Sequence, residues 1–288
     1  MDRKIILITG GSSGLGAAMC ARLVKAGHTV YGTSRKEGTG EGFTLLPMDL
    51  RDEASVIKSV DRVIAEHGRI DVVVNNAGVG VQGAVEDIEP AIAAQAFDVN
   101  VIGALRVCRA VLPHMRERKS GLIINVSSIA ANFGLPYRAF YSASKAALDR
   151  MTETLRIEVA PFNVKVVTVQ PGEFKTPIAA SRLRPTLIGE AYKQRYDRAI
   201  NILDGGLGFS RDPDDLARLI GFPGKLGMDG SKVWDAYQQG KLNEIRDYCE
   251  TDVVNTWLVF ARFQLMRGVF TRAQYAKECE LVRSTLAK

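Results

Sequence analysis

The 288-residue sequence has no long uninterrupted apolar run. None approaches the roughly 18 to 20 residues that a membrane-crossing helix needs. The N-terminal KIILIT at Lys4 to Thr9 is too short, and lacks the cleavage pattern, for a secretory leader. The expected compartment is therefore the cytoplasm, with no membrane partner. Cysteine and histidine are sparse as well: Cys20, Cys108, Cys249 and Cys279 form no CxxC pair, and His28, His67 and His114 form no cluster. No metal site built from thiolate or imidazole is expected. Charge of one sign is also scarce, since the net +6 is shared evenly by the parts before and after Asp215 and contains no basic block. Nucleic-acid binding is not implied. One local bias stands out between Lys175 and Ile200, where Lys175, Arg182, Arg184, Lys193, Arg195 and Arg198 outnumber Glu190 and Asp197. It reads first as a solvated loop and helix face, with contact to a phosphate or acidic ligand as the alternative.

An apolar fraction of 46% and a charged fraction of 24% are ordinary globular values, which excludes disorder, collagen and coiled coil. Up to about residue 170, short β-branched runs alternate with longer amphipathic stretches, the pattern of repeated βαβ units. The spacing predicts strands over 4–9, 29–33, 43–48, 70–75, 121–127 and 164–170. Helices are predicted over 14–25, 53–66, 90–115 and 137–159. Strands that are apolar throughout their centres belong in a parallel sheet covered by helices on both faces. After Gly172 the rhythm changes. Helical patterns appear over 189–202, 213–219, 231–239, 241–248, 252–267 and 272–286, with a glycine- and proline-rich connector, GFPGKLGMDG, at Gly221 to Gly230.

The stretch TGGSSGLG, Thr9 to Gly16, lies between the first strand and the first helix. Its Gly10, Gly14 and Gly16 permit a tight turn and let backbone amides approach a pyrophosphate at the helix N-terminus. Further on, Tyr141 and Lys145 lie one helical turn apart. An ammonium at that range lowers a phenol pKa by roughly 1 to 3 units, towards a value useful for proton transfer. The second strand ends in YGTSRK, with Arg35 where an acidic residue would pair with the ribose of NAD. A cation there suits a 2′-phosphate, so NADP is favoured over NAD.

In this order the motifs resemble the short-chain dehydrogenase/reductase family: TGxxxGxG at Thr9 to Gly16, NNAG at Asn75 to Gly78, NVxG at Asn100 to Gly103, INVSS at Ile124 to Ser128, YxxxK at Tyr141 to Lys145 and PGxxxT at Pro171 to Thr176. The resemblance implies a Rossmann-type fold and hydride transfer between a nicotinamide and a small carbonyl or alcohol. It implies Tyr141 as acid and base, Ser128 on the substrate oxygen, Lys145 on the proton path and the nicotinamide ribose, and Asn100 supporting the relay. Ser128 stands 13 residues before Tyr141, the family's usual separation, which favours it over Ser127. The cofactor would be lined by Thr9, Gly10, Ser12, Ser13, Gly14, Leu15, Gly16, Ser34, Arg35, Asp49, Leu50, Asn76, Ala77, Gly78, Tyr141, Lys145, Pro171, Gly172 and Thr176. Gly134 to Arg138 and the loop after Thr176 would build the substrate pocket. Homo-oligomers are usual in the family.

From about Leu216 the sequence resembles the C-terminal part of predicted 3′-5′ exonucleases related to the proofreading domain of family B DNA polymerases. Their YxxxD motif falls on Tyr248 and Asp252, with the phenol orienting water and the carboxylate binding metal. Such nucleases hold two ions in a cluster of carboxylates, and the upstream members of that set have no counterpart here. An ordinary helix pair is therefore the preferred reading of Tyr248 and Asp252, and nuclease activity or an inactive chimera that still binds nucleotide are the alternatives to a reductase. No seventh strand is visible after Asp212, which would leave the strand at 164–170 as an edge. The expected architecture is an α/β, doubly wound parallel sheet lacking its last strand over residues 1–215, followed by a helical C-terminal tail over 216–288.

Overall fold

The structure, a computed structural model, describes residues 2–172, 181–204, 239–241 and 270–286. The chain divides into two units, residues 1–207 and 208–288. In the first, seven strands form one sheet: β1 (Ile5–Ile8), β2 (Thr29–Ser34), β3 (Gly38–Thr39), β4 (Thr44–Pro47), β5 (Val72–Asn75), β6 (Gly121–Val126) and β7 (Val164–Val169). Their spatial order is β3-β4-β2-β1-β5-β6-β7. Every pairing is parallel except that of β3 with β4.

Alternation along the strands explains the layering. Ile5 and Leu7 of β1, Val73 of β5, Ile123 of β6 and Val164 and Val166 of β7 pack into one core with Val56, Val60 and Val63 and with Val107, Val111 and Met115. The intervening Ile6, Ile8 and Val74 pack into a second core with Cys20 and Val30. Side chains of period two thus feed two faces, and helices must cover both. The first core receives α2 (Glu53–His67) and α4 (Gly103–Glu117); the second receives α1 (Gly14–Lys25). Helix α2 is cut at both ends by local chemistry. The Asp52 carboxylate accepts from the Ala54 amide at 3.0 Å, and Gly68 takes a left-handed φ of 68° at the C-terminus, as capping rules require.

All six expected strands form. The edge strand β3 escapes sequence reading because it has two residues and no hydrophobic pattern. The helix expected over 90–115 is instead α3 (Pro90–Phe97), a π-helical turn at Asp98–Ile102, and α4. Such a turn inserts one residue into the ladder and re-aims a side chain, commonly at a functional site. The stretch Pro90–Glu117 is long and apolar enough to cross a membrane by length and composition, but Ala104, Val107, Val111 and Met115 are spent on the core beneath it. Helix α5 (Ala139–Val159) starts two residues later than its periodicity suggests, because Tyr137 adopts a positive φ of 60°. Among the described residues β7 pairs with β6 alone, and Val167 and Val169 on one of its faces are exposed.

Helix α6 (Glu190–Asp204) belongs to the first unit and α7 (Arg272–Leu286) to the second. Both match expected helices. The four helices expected between residues 213 and 267 lie almost wholly outside the described residues.

A polar chain crosses the sheet beneath the site. Strand register places Asn75 opposite Asn125; Asn75 Nδ2 donates to Asn125 Oδ1 at 2.8 Å, and Asn125 Nδ2 donates to Thr152 Oγ1 of α5 at 2.8 Å. All three residues are buried. Thr152→Val keeps the shape of the side chain and leaves a buried amide donor unpaired, a loss of about 1 to 3 kcal/mol. Thermal unfolding should show a midpoint lower by about 2 to 4 °C per kcal/mol lost.

Candidate active site

The strand order reverses between β1 and β5, and in open parallel sheets ligands bind in the crevice beyond such a point. Two turns occupy it. Gly10 and Gly14 have positive φ values of 70° and 54°, conformations that cost other residues about 1 kcal/mol or more. At Gly16 a Cβ would lie 2.1 Å from the Gly10 carbonyl oxygen; no side chain fits. The hydroxyl of Thr9 accepts from the amides of Asn76 and Ala77, each at 3.0 Å, and Asn76 Nδ2 donates to the Thr9 carbonyl at 2.9 Å. The glycine turn and the Asn75 to Gly78 turn are therefore one rigid piece. Ser13 caps α1 in extended conformation without a side-chain hydrogen bond, and the first turn holds no acidic residue. The orphan amides of that helix end stay open to an anion.

On the other side of the crevice Lys145 and Asn100 lie against the NNAG turn. Lys145 is 4% exposed, and its Nζ donates to the Val126 carbonyl, at the end of β6, at 2.8 Å. Burial pulls this amine down to about 8, against an opposing contribution from Asp149. A Cβ on Gly78 would stand 3.5 Å from Lys145 Nζ and 3.0 Å from Asn100 Oδ1, so the NNAG turn presses directly on both. Asn100 lies in the π-helical turn and is buried. Its Oδ1 accepts from the Val79 amide at 2.8 Å, while its Nδ2 donates to the Val79 carbonyl at 3.0 Å and to Ser144 Oγ at 2.9 Å. Ser144 in turn donates to the Tyr141 carbonyl at 2.8 Å. The π turn, the NNAG turn and the first turn of α5 are thereby locked together.

The two serines separate by their bonds. Ser127 donates its hydroxyl proton to the Lys145 carbonyl at 3.2 Å, a tie between β6 and α5. Ser128 accepts from the Ala130 amide at 3.1 Å, which orients the oxygen and, among the described residues, leaves its own proton available. Tyr141 sits in the first turn of α5, part-buried against the cluster of Val81, Ile88 and Ala96. Pro171 and Gly172 lie beside the Ser128 turn, with the Pro171 carbonyl accepting from the Ile129 amide at 3.1 Å. Thr176 lies outside the described residues.

At the far end of the crevice, Ser34 closes a local turn with Lys36, and Arg35 is exposed. The Arg51 guanidinium holds the Asp49 carboxylate well down, at about 2, with a further contribution from Arg35. Leu50 is a core residue whose carbonyl accepts from Arg106 at 2.8 Å. Ser12 and Ser13 are exposed and Leu15 is half-buried. Three residues escaped the sequence reading. Gly11 is one, because a Cβ there would meet Gly32 Cα of β2 at 2.6 Å, and only sheet packing reveals that. Asn125 is another, although an amide inside an apolar strand is a visible signal. The third, Ser144, lies inside the YxxxK spacing itself.

Beyond α5 and β7, residues 181–189 return to the loop that follows β5. Leu183 bridges to Val81 in parallel fashion, and the Gln82 amide donates to the Leu183 carbonyl at 2.9 Å. The Tyr137 ring meets the Tyr196 ring of α6 edge-on at 5.4 Å. Among the described residues no group of three metal-ligating side chains occurs. Tyr248 and Asp252 lie outside the described residues.

Comparison with known proteins agrees with this architecture. Residues 4–186 match the family model described as short chain dehydrogenase; the chain belongs to the short-chain dehydrogenase/reductase family and is a nicotinamide-dependent oxidoreductase. Residues 190–288 match a model described as a predicted 3′-5′ exonuclease related to the exonuclease domain of PolB. A 3-ketodihydrosphingosine reductase of Bacteroides thetaiotaomicron is 42% identical over 207 residues, which cover 71% of this chain and 77% of the relative. A cyclopentanol dehydrogenase of a Comamonas species is 34% identical over 212 residues, 66% of this chain and 85% of that one. A short-chain dehydrogenase from Streptomyces avermitilis superposes with a TM-score of 0.65 at 32% identity, over 85% of this chain and 94% of that one. A 3-ketoacyl-(acyl-carrier-protein) reductase from Brucella melitensis, solved with NADH, superposes with a TM-score of 0.60 at 31% identity, over 62% of this chain and 80% of that one.

The steric argument at Gly16 is testable. Gly16→Ala forces the turn away from β5, so binding of a reduced nicotinamide dinucleotide, NADH or NADPH, followed by fluorescence should weaken at least about tenfold, and the thermal midpoint should fall.

Proposed function

We propose that the protein reduces a ketone to a secondary alcohol with NADPH, reversibly, through Ser128, Tyr141, Lys145 and Asn100. The observation that carries this reading is the buried Lys145 amine. It is anchored to the Val126 carbonyl, lies one turn from Tyr141 and presses on the NNAG turn. The cradle fits a dinucleotide: Gly16 leaves room that a side chain would fill, and the uncapped end of α1 offers backbone amides to a pyrophosphate. The bound nicotinamide supplies hydride to the carbonyl carbon in one direction and accepts it in the other.

The chain's own groups manage the oxygen and its proton. Ser128, with its oxygen already fixed by the Ala130 amide, donates a hydrogen bond to the carbonyl oxygen and steadies the charge that develops there. Tyr141 delivers the proton to that oxygen in reduction and removes it in oxidation. Lys145 presents its ammonium beside the phenol and to the nicotinamide ribose, and Asn100, held by three hydrogen bonds, keeps the π turn shaped around it. Arg35, exposed at the end of β2 with no carboxylate in the Ser34 to Lys36 run, suits a 2′-phosphate, which favours NADP over NAD. The similarity to a ketodihydrosphingosine reductase and a cyclopentanol dehydrogenase points to ketones and secondary alcohols as the substrate class. The reductase would act as the domain 1–215, in the cytoplasm.

Turnover of a ketone panel with NADPH tests the proposal. Tyr141→Phe should lower kcat by about 10² to 10⁴ while the dissociation constant for NADPH stays within about threefold. An active Tyr141→Phe protein would remove the assignment. Separately, Arg35→Asp should reverse the preference between NADPH and NADH in kcat/KM, because it replaces a phosphate partner by a group that pairs with a ribose hydroxyl.

A further inference from the structure

Gln170, one residue beyond β7, is exposed, yet both ends of its side-chain amide are engaged. Its Nε2 donates to Asp149 Oδ2 at 2.7 Å and to Asn132 Oδ1 at 3.4 Å, while its Oε1 accepts from Asn132 Nδ2 at 3.0 Å. A carboxylate only accepts, so Asp149 fixes which end of the amide is the nitrogen, and Asn132 completes the pairing. Asp149 is 4% exposed, and its Oδ1 meets no hydrogen-bond partner. Gln170 therefore supplies a hydrogen bond that this buried carboxylate needs, and a bond to a charged acceptor is stronger than one between neutral groups.

Three parts of the site meet at this amide. Asn132 closes the 3-10 turn Ile129–Ala131, which begins at Ser128. Asp149 lies on α5 one turn after Lys145 and two turns after Tyr141. Gln170 leads directly into Pro171 and Gly172, which stand among the expected cofactor residues. Backbone bonds already lay the Ser128 turn alongside the end of β7: the Ser127 amide donates to the Val169 carbonyl at 2.8 Å, and the Ile129 amide donates to the Pro171 carbonyl at 3.1 Å. Those bonds join the two segments to each other, whereas the Gln170 side chain joins both of them to α5. A second hydrogen bond between α5 and β7, from Arg156 to the Val166 carbonyl at 2.8 Å, lies about two helical turns further from the site.

We infer that Gln170 is a positioning residue for the carbonyl reaction: its amide, clamped between Asp149 and Asn132, sets the Ser128 turn and the Pro171–Gly172 turn at a fixed distance from the helix that carries Tyr141 and Lys145. The inference rests on the reductase reading above and deepens it.

The test compares the unaltered protein with Gln170→Ala, Gln170→Glu, Asp149→Asn and the double variant Gln170→Glu/Asp149→Asn at about pH 8. It reads kcat for NADPH-dependent reduction of cyclopentanone, NADPH binding by fluorescence, and the thermal midpoint. Gln170→Glu sets two carboxylates against each other. The double variant exchanges donor and acceptor, so that the amide at position 149 donates to the carboxylate at position 170. Gln170→Ala and Gln170→Glu should each lower kcat about tenfold, because a small displacement of a reacting group is costly, and weaken NADPH binding about threefold. Asp149→Asn keeps an acceptor for Gln170 and should stay close to the unaltered protein, and the double variant should recover most of both losses. A purely structural role lowers the midpoint and leaves kcat and NADPH binding in place. Should the double variant fail to fold, Asn132→Ala, at an exposed position, must lower both readouts as Gln170→Ala does. Unchanged kcat and binding in Gln170→Glu or in Asn132→Ala, or a folded double variant no better than Gln170→Glu alone, overturns the inference. Absence of turnover in the unaltered protein sinks the reductase reading instead, and the NADPH binding series still decides the role of Gln170; absence of NADPH binding as well overturns both.

Discussion

An amine buried at the end of a strand governs much of this structure. Lys145 can stay enclosed because its Nζ has the Val126 carbonyl at 2.8 Å. That bond exists because β6 stops where it does and α5 crosses it at that point. Burial of a cation demands neighbours that are small or polar, and the residues around it obey: glycine at position 78, where a Cβ would crowd Asn100 and Lys145, and an amide at position 100. Asn100 reaches this place because the chain between α3 and α4 takes a π turn. An uninterrupted helix would rotate the side chain away.

The sheet beneath carries the load of holding two turns in register. Thr9 at the end of β1 accepts two amides from the turn after β5, so the glycine turn and the NNAG turn cannot move separately. Asn75, Asn125 and Thr152 then tie β5 to β6 and β6 to α5 in a buried polar relay. Apolar packing alone would stabilise these layers without fixing their relative slide, whereas hydrogen bonds between buried side chains tolerate only one arrangement. The helix that carries Tyr141 and Lys145 and the glycine turn after β1 are thus positioned by the same polar links.

Sequence and packing disagree about where the first domain ends. The short-chain dehydrogenase match stops at residue 186 and the exonuclease-related match begins at 190, whereas the first structural unit runs to residue 207. Helix α6 is the disputed element. Tyr192 donates to Glu86 at 2.5 Å, the Gly189 amide donates to Asp87 at 3.2 Å, and the Tyr196 ring rests on Tyr137. Whatever its sequence likeness, α6 is held by the loop after β5 and by the turn that precedes Tyr141. Tyr137 holds a positive φ there, a conformation unusual for an aromatic residue.

The local rules that the sequence obeys were enough to read the strands, the glycine turn and the YxxxK pair, because each depends on neighbours within a few residues: alternation of Ile5 to Ile8, the spacing of Gly10, Gly14 and Gly16, one helical turn from Tyr141 to Lys145. Contacts across the fold were not legible in that way. The choice between Ser127 and Ser128 by their hydrogen bonds, the π turn that delivers Asn100, the pressure of Gly11 on Gly32 and the seating of Lys145 on the Val126 carbonyl all depend on which elements meet. Periodicity fixes the face that a residue occupies, but the partner on that face is set by the register of strands and the seating of helices, and these were decided only when the chain closed on itself.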